Sequence, residues 1–133
     1  MSRDEVLLAI NAGIERAKAA SETHVSIIGV GEMGIGNTTT SSAVLSVLTG
    51  LSVEEVTGRG GGLTDEAFAH KKQVIEKGIM MHQPNADDVI DVLSKVGGLD
   101  IAAMCGVYLG AAIYKVPAVI DGFISVVAAL CAI

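Results

Sequence analysis

A short apolar run followed at once by a glycine-rich segment constrains the fold of this chain more than any other feature. Residues 25–30 read VSIIGV, and residues 31–41 continue as GEMGIGNTTTS. A β-branched run without alternating polar residues is typical of a parallel strand that is buried on both faces. Glycines permit a tight turn, and the polar residues after them suit the start of a helix. The sequence therefore predicts a strand over 25–30, a glycine turn, and a helix that begins near Asn37 or Thr38 and ends near Leu48.

The remaining elements follow from helical periodicity, helix caps and breaks at glycine or proline. The segment from Ser2 to Glu5 has the pattern of a capping box, and Thr64 suits a helix cap because acidic residues follow it. Residues 117–121 read PAVID and predict a second buried strand. The further predicted elements are a helix from Ser2 to about Ala20, a loop over 50–62, a helix after Thr64, a short helix over 86–96, a helix from about Leu99 to Tyr114, and an apolar helix from Gly122 onward.

Composition and element order together indicate an α/β fold. Half of the 133 residues are hydrophobic but only 3% are aromatic, so small aliphatic side chains and glycines must build the core. We predict one α/β domain over residues 1–133, in which the two strands are parallel and belong to one sheet with flanking helices. Two strands do not form a stable sheet alone, so we expect either a piece of a larger domain or an obligate oligomer.

Charge and hydropathy exclude several classes of partner. The net charge of −6 and the pI near 4.9 argue against nucleic acid, which binds basic surfaces. The apolar runs 101–114 and 122–133 are shorter than the roughly 20 residues of a membrane-spanning helix, so we expect core helices and no membrane contact. The start of the chain lacks the apolar core of a signal peptide, which predicts a cytoplasmic protein. Cys105 and Cys131 lie in apolar sequence without metal-ligand spacing, so we expect buried thiols and no metal site.

The first glycine-rich segment has the features of an anion site. The amides of a glycine turn and of a helix N-terminus point at one spot, and hydroxyl donors follow at 38–41. The spacing matches neither the phosphate-binding loop of nucleoside triphosphatases nor the dinucleotide fingerprint, and tight turns alone explain such glycines equally well. Glu32 would repel an anion, so it suits a different part of a ligand, such as a ring or a sugar, unless it is simply solvated.

The second glycine-rich segment, TGRGGG at 57–62, also permits close approach of a ligand, and Arg59 is its only charged residue. The helix after it has an apolar stripe through Phe68 and Ile75, and two lysines, Lys71 and Lys72, lie at the edges of this stripe. Either lysine could extend from the core boundary into a site, while a solvated lysine is the alternative.

Four segments in this order resemble nicotinate-nucleotide:dimethylbenzimidazole phosphoribosyltransferases. They are GEMGIGNTT, VTGRGGGLTDEAFAHKKQVIE, GGLDIAAMCGVYLGAA and PAVIDGFIS. The resemblance covers nearly the whole chain but only the middle part of the family, whose members are well over twice as long. It implies a Rossmann-like parallel sheet core, incomplete relative to the family fold, and a homodimer. It also implies an enzyme of cobalamin lower-ligand assembly that transfers phosphoribose from nicotinate mononucleotide to dimethylbenzimidazole, giving α-ribazole phosphate and nicotinate, without a cofactor or metal.

The resemblance also implies roles for individual residues. The backbone amides at Glu32 and Gly34 match positions that hold the nicotinate carboxylate, and the threonines that follow line the ribose and phosphate. The loop at Gly58 matches the phosphate loop, and Lys71 matches a lysine that pairs with the phosphate. The implied substrate-binding residues are Gly31, Glu32, Met33, Gly34, Asn37, Thr38, Thr39, Gly58, Arg59, Gly60, Lys71 and Asp121.

The general base implied by the family is a glutamate in a block near its C-terminus, beyond the segments matched here. We therefore expect the 133-residue chain alone to be inactive, with Glu32 as the candidate catalytic carboxylate within it. A non-catalytic module that binds nicotinate or a nucleotide is the alternative, and glycine loops that serve only as turns are a third interpretation.

Overall fold

The structure is a computed structural model that describes residues 1–133. It contains seven helices and two strands. In chain order they are α1 (Arg3–Glu22), β1 (Ile28–Val30), α2 (Thr38–Thr49), α3 (Val53–Val56), α4 (Asp65–His82), α5 (Val89–Val96), α6 (Leu99–Tyr114), β2 (Ala118–Ile120) and α7 (Gly122–Leu130). The chain forms two compact units, one of residues Met1–Glu32 with Leu99–Ile133 and one of residues Met33–Gly98. The single domain over 1–133 stays a prediction beside this division.

The first unit contains the sheet, and its two strands are parallel, as predicted. Ile28 pairs with Ala118, and Val30 pairs with Ile120. Both strands therefore end at the same edge of the sheet, and the α/β fold class is confirmed. The boundaries and the burial differ from the prediction, because each strand has only three residues and the side chains of Ile27 and Val119 are 56% and 47% exposed. The apolar runs predicted strands with two covered faces, whereas Val119 and Ile120, which lie on opposite faces of β2, are both about half exposed.

Close backbone contact between α1 and α6 forms the core of the first unit. A Cβ added at Gly106 would lie 1.9 Å from the carbonyl oxygen of Ile10, and one added at Gly13 would lie 2.0 Å from that of Ala103. Gly110, one turn beyond Gly106, is nearly as restricted, with an added Cβ 2.7 Å from the Cβ of Ala17. These three glycines let the two helix backbones touch, which explains how an interior almost without aromatic residues closes its gaps.

The ends of α1 and α5 follow from their caps. The Ser2 hydroxyl accepts from the Glu5 amide at 3.2 Å, and the Glu5 carboxylate accepts from the Ser2 amide at 2.7 Å, which confirms the capping box. The α5 helix begins at Val89 rather than at 86, because the Asp88 side chain caps it by accepting from the Asp91 amide at 3.1 Å. No helix of the structure is both long and apolar enough to span a membrane.

The second unit consists of α2, α3, α4 and α5 around a small aliphatic core. Ala43, Val53 and Ile75 form its buried center, and Ile79 and Val96 pack against them. The helix α3 lies within the segment predicted as loop. It forms because Ser52 and Glu55 make a second capping box, with the Ser52 amide donating to Glu55 at 3.0 Å. Four residues are too few for a periodic apolar pattern, so this helix had only its cap as a sequence signal.

Replacing Gly106 by alanine should destabilise the first unit, because the new methyl group would collide with the α1 backbone at Ile10. Overpacking of this kind costs about 1–3 kcal/mol. The matched control is Gly78→Ala, since an added Cβ at Gly78 meets no atom within 4 Å in α4, and alanine there favours the helix by up to about 1 kcal/mol. Urea unfolding followed by far-ultraviolet circular dichroism measures both changes. Equal stability of Gly106→Ala and the original chain would contradict the close contact.

Candidate functional site

A buried lysine connects the two glycine-rich segments within the second unit. Lys71, in the second turn of α4, is 8% exposed. Its Nζ donates to Thr38 Oγ1 at 3.0 Å and to the carbonyl oxygen of Gly58 at 2.9 Å. Thr38 is the first residue of α2, and Gly58 belongs to the second glycine segment. The structure thus brings together three residues that were selected separately from the sequence.

The ammonium group of Lys71 has no carboxylate partner. Both of its acceptors are neutral oxygens, and burial alone lowers the pKa of Lys71 from its ordinary value. A buried charge without a counter-ion is costly in a folded protein. The neighbouring Lys72 differs, because its Nζ pairs with Glu54 at 2.5 Å on an exposed part of the unit. Of the two lysines that the apolar stripe offered, Lys71 is therefore the one without an acidic partner.

Backbone atoms approach this lysine at Gly60. Gly60 has a φ of +61°, and a Cβ at this position would lie 3.1 Å from Thr38 Oγ1 and 3.7 Å from Lys71 Nζ. Glycine is required here for its backbone conformation and leaves open the space beside the ammonium. Two hydroxyls of the same elements are buried without a hydrogen-bond partner. They are Ser41 Oγ in α2, one of the donors predicted at 38–41, and Thr57 Oγ1 before Gly58, which was given no role from the sequence. The sequence of a loop does not show whether a hydroxyl is buried without a hydrogen-bond partner.

The first glycine segment leads directly into the N-terminus of α2. Gly34 and Gly36 adopt φ values of +78° and +80°, while the side chains of Met33 and Ile35 beside them are largely exposed. The Asn37 side chain makes no capping hydrogen bond to α2. The first amides of this 12-residue helix therefore lack a side-chain cap, as in helices that bind anions. Thr39 lines a different part of the second unit, a cavity of about 190 Å³ whose wall also includes Ile75.

The side chain of Arg59 is engaged within its own loop. Its Nη1 donates to the carbonyl oxygen of Leu63 at 2.9 Å, and its Nη2 forms an ion pair with Asp65. The guanidinium carbon also lies 4.9 Å from the center of the Phe68 ring. The structure therefore gives Arg59 three partners from the loop and from α4.

Three of the predicted ligand residues, Gly31, Glu32 and Asp121, belong to the first unit, where a buried hydroxyl joins the ends of the two strands. Ser125 Oγ donates to the carbonyl oxygen of Val30 at 2.9 Å and accepts from the Asp121 amide at 3.3 Å. Tyr108 hydrogen-bonds to the same hydroxyl. Neither Ser125 nor Tyr108 was predicted from the sequence, because the bonds of Ser125 to Tyr108 and to Val30 join positions that are 17 and 95 residues apart. Glu32 and the Asp121 side chain are exposed.

Neither thiol has the properties of a nucleophile. Cys105 and Cys131 are free and buried, as predicted. Burial raises the pKa of Cys105 to about 11, and burial together with the neighbouring Cys105 raises the pKa of Cys131 to about 12. Both side chains are therefore protonated thiols near neutral pH. No three His, Cys, Asp or Glu side chains form a group that could hold a metal ion.

Comparison with known proteins places the chain in a family. A family model described as Phosphoribosyltransferase matches residues 1–133. The nicotinate-nucleotide–dimethylbenzimidazole phosphoribosyltransferase of Clostridium acetobutylicum is 58% identical over 133 residues, which are 100% of this chain and 38% of that protein. The protein of the same name from Clostridium perfringens is 54% identical over 132 residues, which are 99% of this chain and 37% of the relative.

A solved structure agrees with these sequence relatives. The crystal structure of CobT from Thermus thermophilus superposes with a TM-score of 0.92 at 35% identity, covering 99% of this chain and 39% of that one. The chain thus spans less than two fifths of the length of the proteins it resembles. Full coverage by the family model, together with this agreement in sequence and structure, shows that the chain belongs to the phosphoribosyltransferase family.

Proposed function

We propose that this chain forms the phosphate-binding part of an enzyme that transfers phosphoribose from nicotinate mononucleotide to dimethylbenzimidazole. The names of the relatives supply the two substrates. The observation that carries the proposal is the buried, unpaired ammonium of Lys71 between Thr38 and Gly58. A buried ammonium without a counter-ion favours binding of an anion, and the phosphate of the mononucleotide supplies one.

The phosphate is proposed to bind Lys71 through a charge-assisted hydrogen bond. The Thr38 hydroxyl and the uncapped amides at the start of α2 offer further donors, and the dipole of α2 favours a negative charge at the same place. The missing side chain at Gly60 leaves room for a phosphate oxygen beside Nζ. In this assignment Gly58 and Gly60 contribute backbone, while Thr38 and Lys71 contribute side chains.

The proposed reaction exchanges one C1′–N bond for another. The bond between ribose C1′ and the nicotinate nitrogen breaks, a benzimidazole nitrogen attacks C1′, and the proton of the attacking heterocycle passes to a carboxylate base. Holding the phosphate fixes the sugar, so binding at Lys71 contributes to rate by positioning the two reactants. We propose Gly31, Met33 and Gly34 as contacts of the nicotinate ring or its carboxylate, and Asp121 as a further ligand contact. The homodimer implied by the resemblance is part of the same proposal.

Lys71→Ala should weaken binding of nicotinate mononucleotide by about 10- to 100-fold, which corresponds to the loss of one charged hydrogen bond. Free nicotinate has no phosphate, so its affinity should change by less than about threefold on the same scale. Isothermal titration calorimetry measures both ligands. The matched control is Lys77→Ala, an exposed lysine of the same helix, which should leave both affinities unchanged. Equal weakening of both ligands by Lys71→Ala would contradict the phosphate assignment, and absence of mononucleotide binding to the original chain would contradict the proposed function.

The affinity for the mononucleotide should also fall at alkaline pH. Burial lowers the pKa of Lys71 below 10.5 in the free protein, so the ammonium loses its proton earlier than an exposed lysine would. The phosphate is already a dianion above about pH 7, since its second pKa is near 6. Calorimetry from about pH 7.5 upward should therefore show a decline whose midpoint lies below pH 10.5, in the original chain and in Lys77→Ala. A similar decline in Lys71→Ala would assign the effect to another group.

Glu32→Gln should leave nicotinate affinity unchanged or increase it, because the substitution removes a negative charge beside an anion-binding backbone. The contrasting variant is Gly34→Val, which should weaken nicotinate binding because a β-branched residue is strained at a φ of +78°. Calorimetric titration with nicotinate compares the two variants, after circular dichroism has shown that both are folded. If Glu32→Gln abolished binding, the Glu32 carboxylate itself would be a ligand and the proposed division of roles would be wrong.

A further inference from the structure

Arg59 lies in the loop that contacts Lys71, yet all of its observed partners are protein groups. The guanidinium donates to the Leu63 carbonyl oxygen, pairs with Asp65 and stacks on the Phe68 ring. The Leu63 amide in turn donates to the Arg59 carbonyl oxygen at 3.5 Å. These contacts close residues 59–63 into a compact loop attached to the first turns of α4.

The same loop supplies both backbone elements of the lysine site. The Gly58 carbonyl oxygen, which accepts from Lys71, directly precedes Arg59, and Gly60, which approaches Lys71, directly follows it. Gly60 and Gly62 both adopt positive φ. Because glycine has no Cβ and populates many backbone conformations, these two residues can rearrange when the loop is not held. The contacts of Arg59 thus limit the movement of the two backbone units that matter for the site.

We propose that Arg59 is a positioning residue: through Leu63, Asp65 and Phe68 it holds residues 58–60 against Lys71, and it makes no contact with the phosphate. This inference rests on the proposed phosphate site at Lys71. It differs from the direct role that the resemblance implied for Arg59. Asp65 has a positioning role as well, because its carboxylate holds the Arg59 guanidinium from the first position of α4.

Asp65→Asn separates the two roles. If Arg59 bound the phosphate, loss of its acidic partner would free the guanidinium, and mononucleotide affinity would rise or stay the same. If Arg59 positions the loop, the same substitution loosens residues 58–60 and lowers the affinity, although it removes a negative charge. Arg59 is half-exposed and Asp65 is exposed, so neither substitution disturbs the core.

The experiment is calorimetric titration of nicotinate mononucleotide into Arg59→Ala, Asp65→Asn and the double variant. We expect each single variant to bind about 3- to 10-fold more weakly, the size expected when a loop must be ordered on binding. The double variant should be no weaker than Arg59→Ala, since both substitutions break one interaction. The matched control is Glu66→Gln, which removes the same charge from the same turn of α4 without an ion pair to Arg59. Its affinity should stay within about twofold of the original.

A second readout does not depend on the ligand. Amide hydrogen exchange over residues 58–63 should become faster in Asp65→Asn and Arg59→Ala, and should be unchanged in Glu66→Gln. Tighter or unchanged mononucleotide binding by Asp65→Asn, additive losses in the double variant, or unchanged exchange in the loop would each overturn the positioning role. Lys71→Ala is measured beside these variants: weakened mononucleotide binding there, together with unaltered binding in Arg59→Ala, would reject the inference about Arg59 and leave the proposed function standing.

Discussion

The ammonium group of Lys71 is the feature on which the candidate site of the second unit depends. Nothing in that unit neutralises it, and only two neutral oxygens receive its protons. Apolar packing of α2, α3 and α4 alone would favour an aliphatic residue at this place, so the lysine costs stability that the unit must recover elsewhere. Such an arrangement is typical of a site that is complete only with its ligand present.

The first unit depends on a different constraint, the absence of side chains where α1 and α6 touch. Gly13, Gly106 and Gly110 bring two backbones to a separation that any Cβ would prevent. This contact positions α6, which in turn supplies Tyr108 to the hydroxyl of Ser125 at the ends of the strands. In this unit, helix packing therefore positions the residues at the strand ends as much as the sheet does.

Local patterns predicted the order of elements well, because caps, glycines and periodicity act over a few residues. The parallel pairing of the strands followed from two β-branched runs, each ending before a turn and a helix. Burial was less predictable, since the exposure of Ile27, Val119 and Ile120 depends on what packs against the sheet and not on the strand itself. For the site, the apolar stripe offered Lys71 and Lys72 equally. Only the tertiary structure showed that Glu54 neutralises the second and that no acid neutralises the first. The partners of Arg59 were likewise hidden, because a loop sequence does not reveal which way a long side chain folds.

The hydroxyl of Ser125 has one proton, and the structure assigns that proton to the carbonyl oxygen of Val30. Tyr108 must therefore be the donor in its bond to Ser125, so the phenol proton is directed toward the buried oxygen. The chain has no tryptophan and only two tyrosines. One of these two tyrosines, Tyr108, thus belongs to the hydrogen-bond network that joins the strand ends. Its near-ultraviolet absorption gives the folded chain an intrinsic optical probe of that junction.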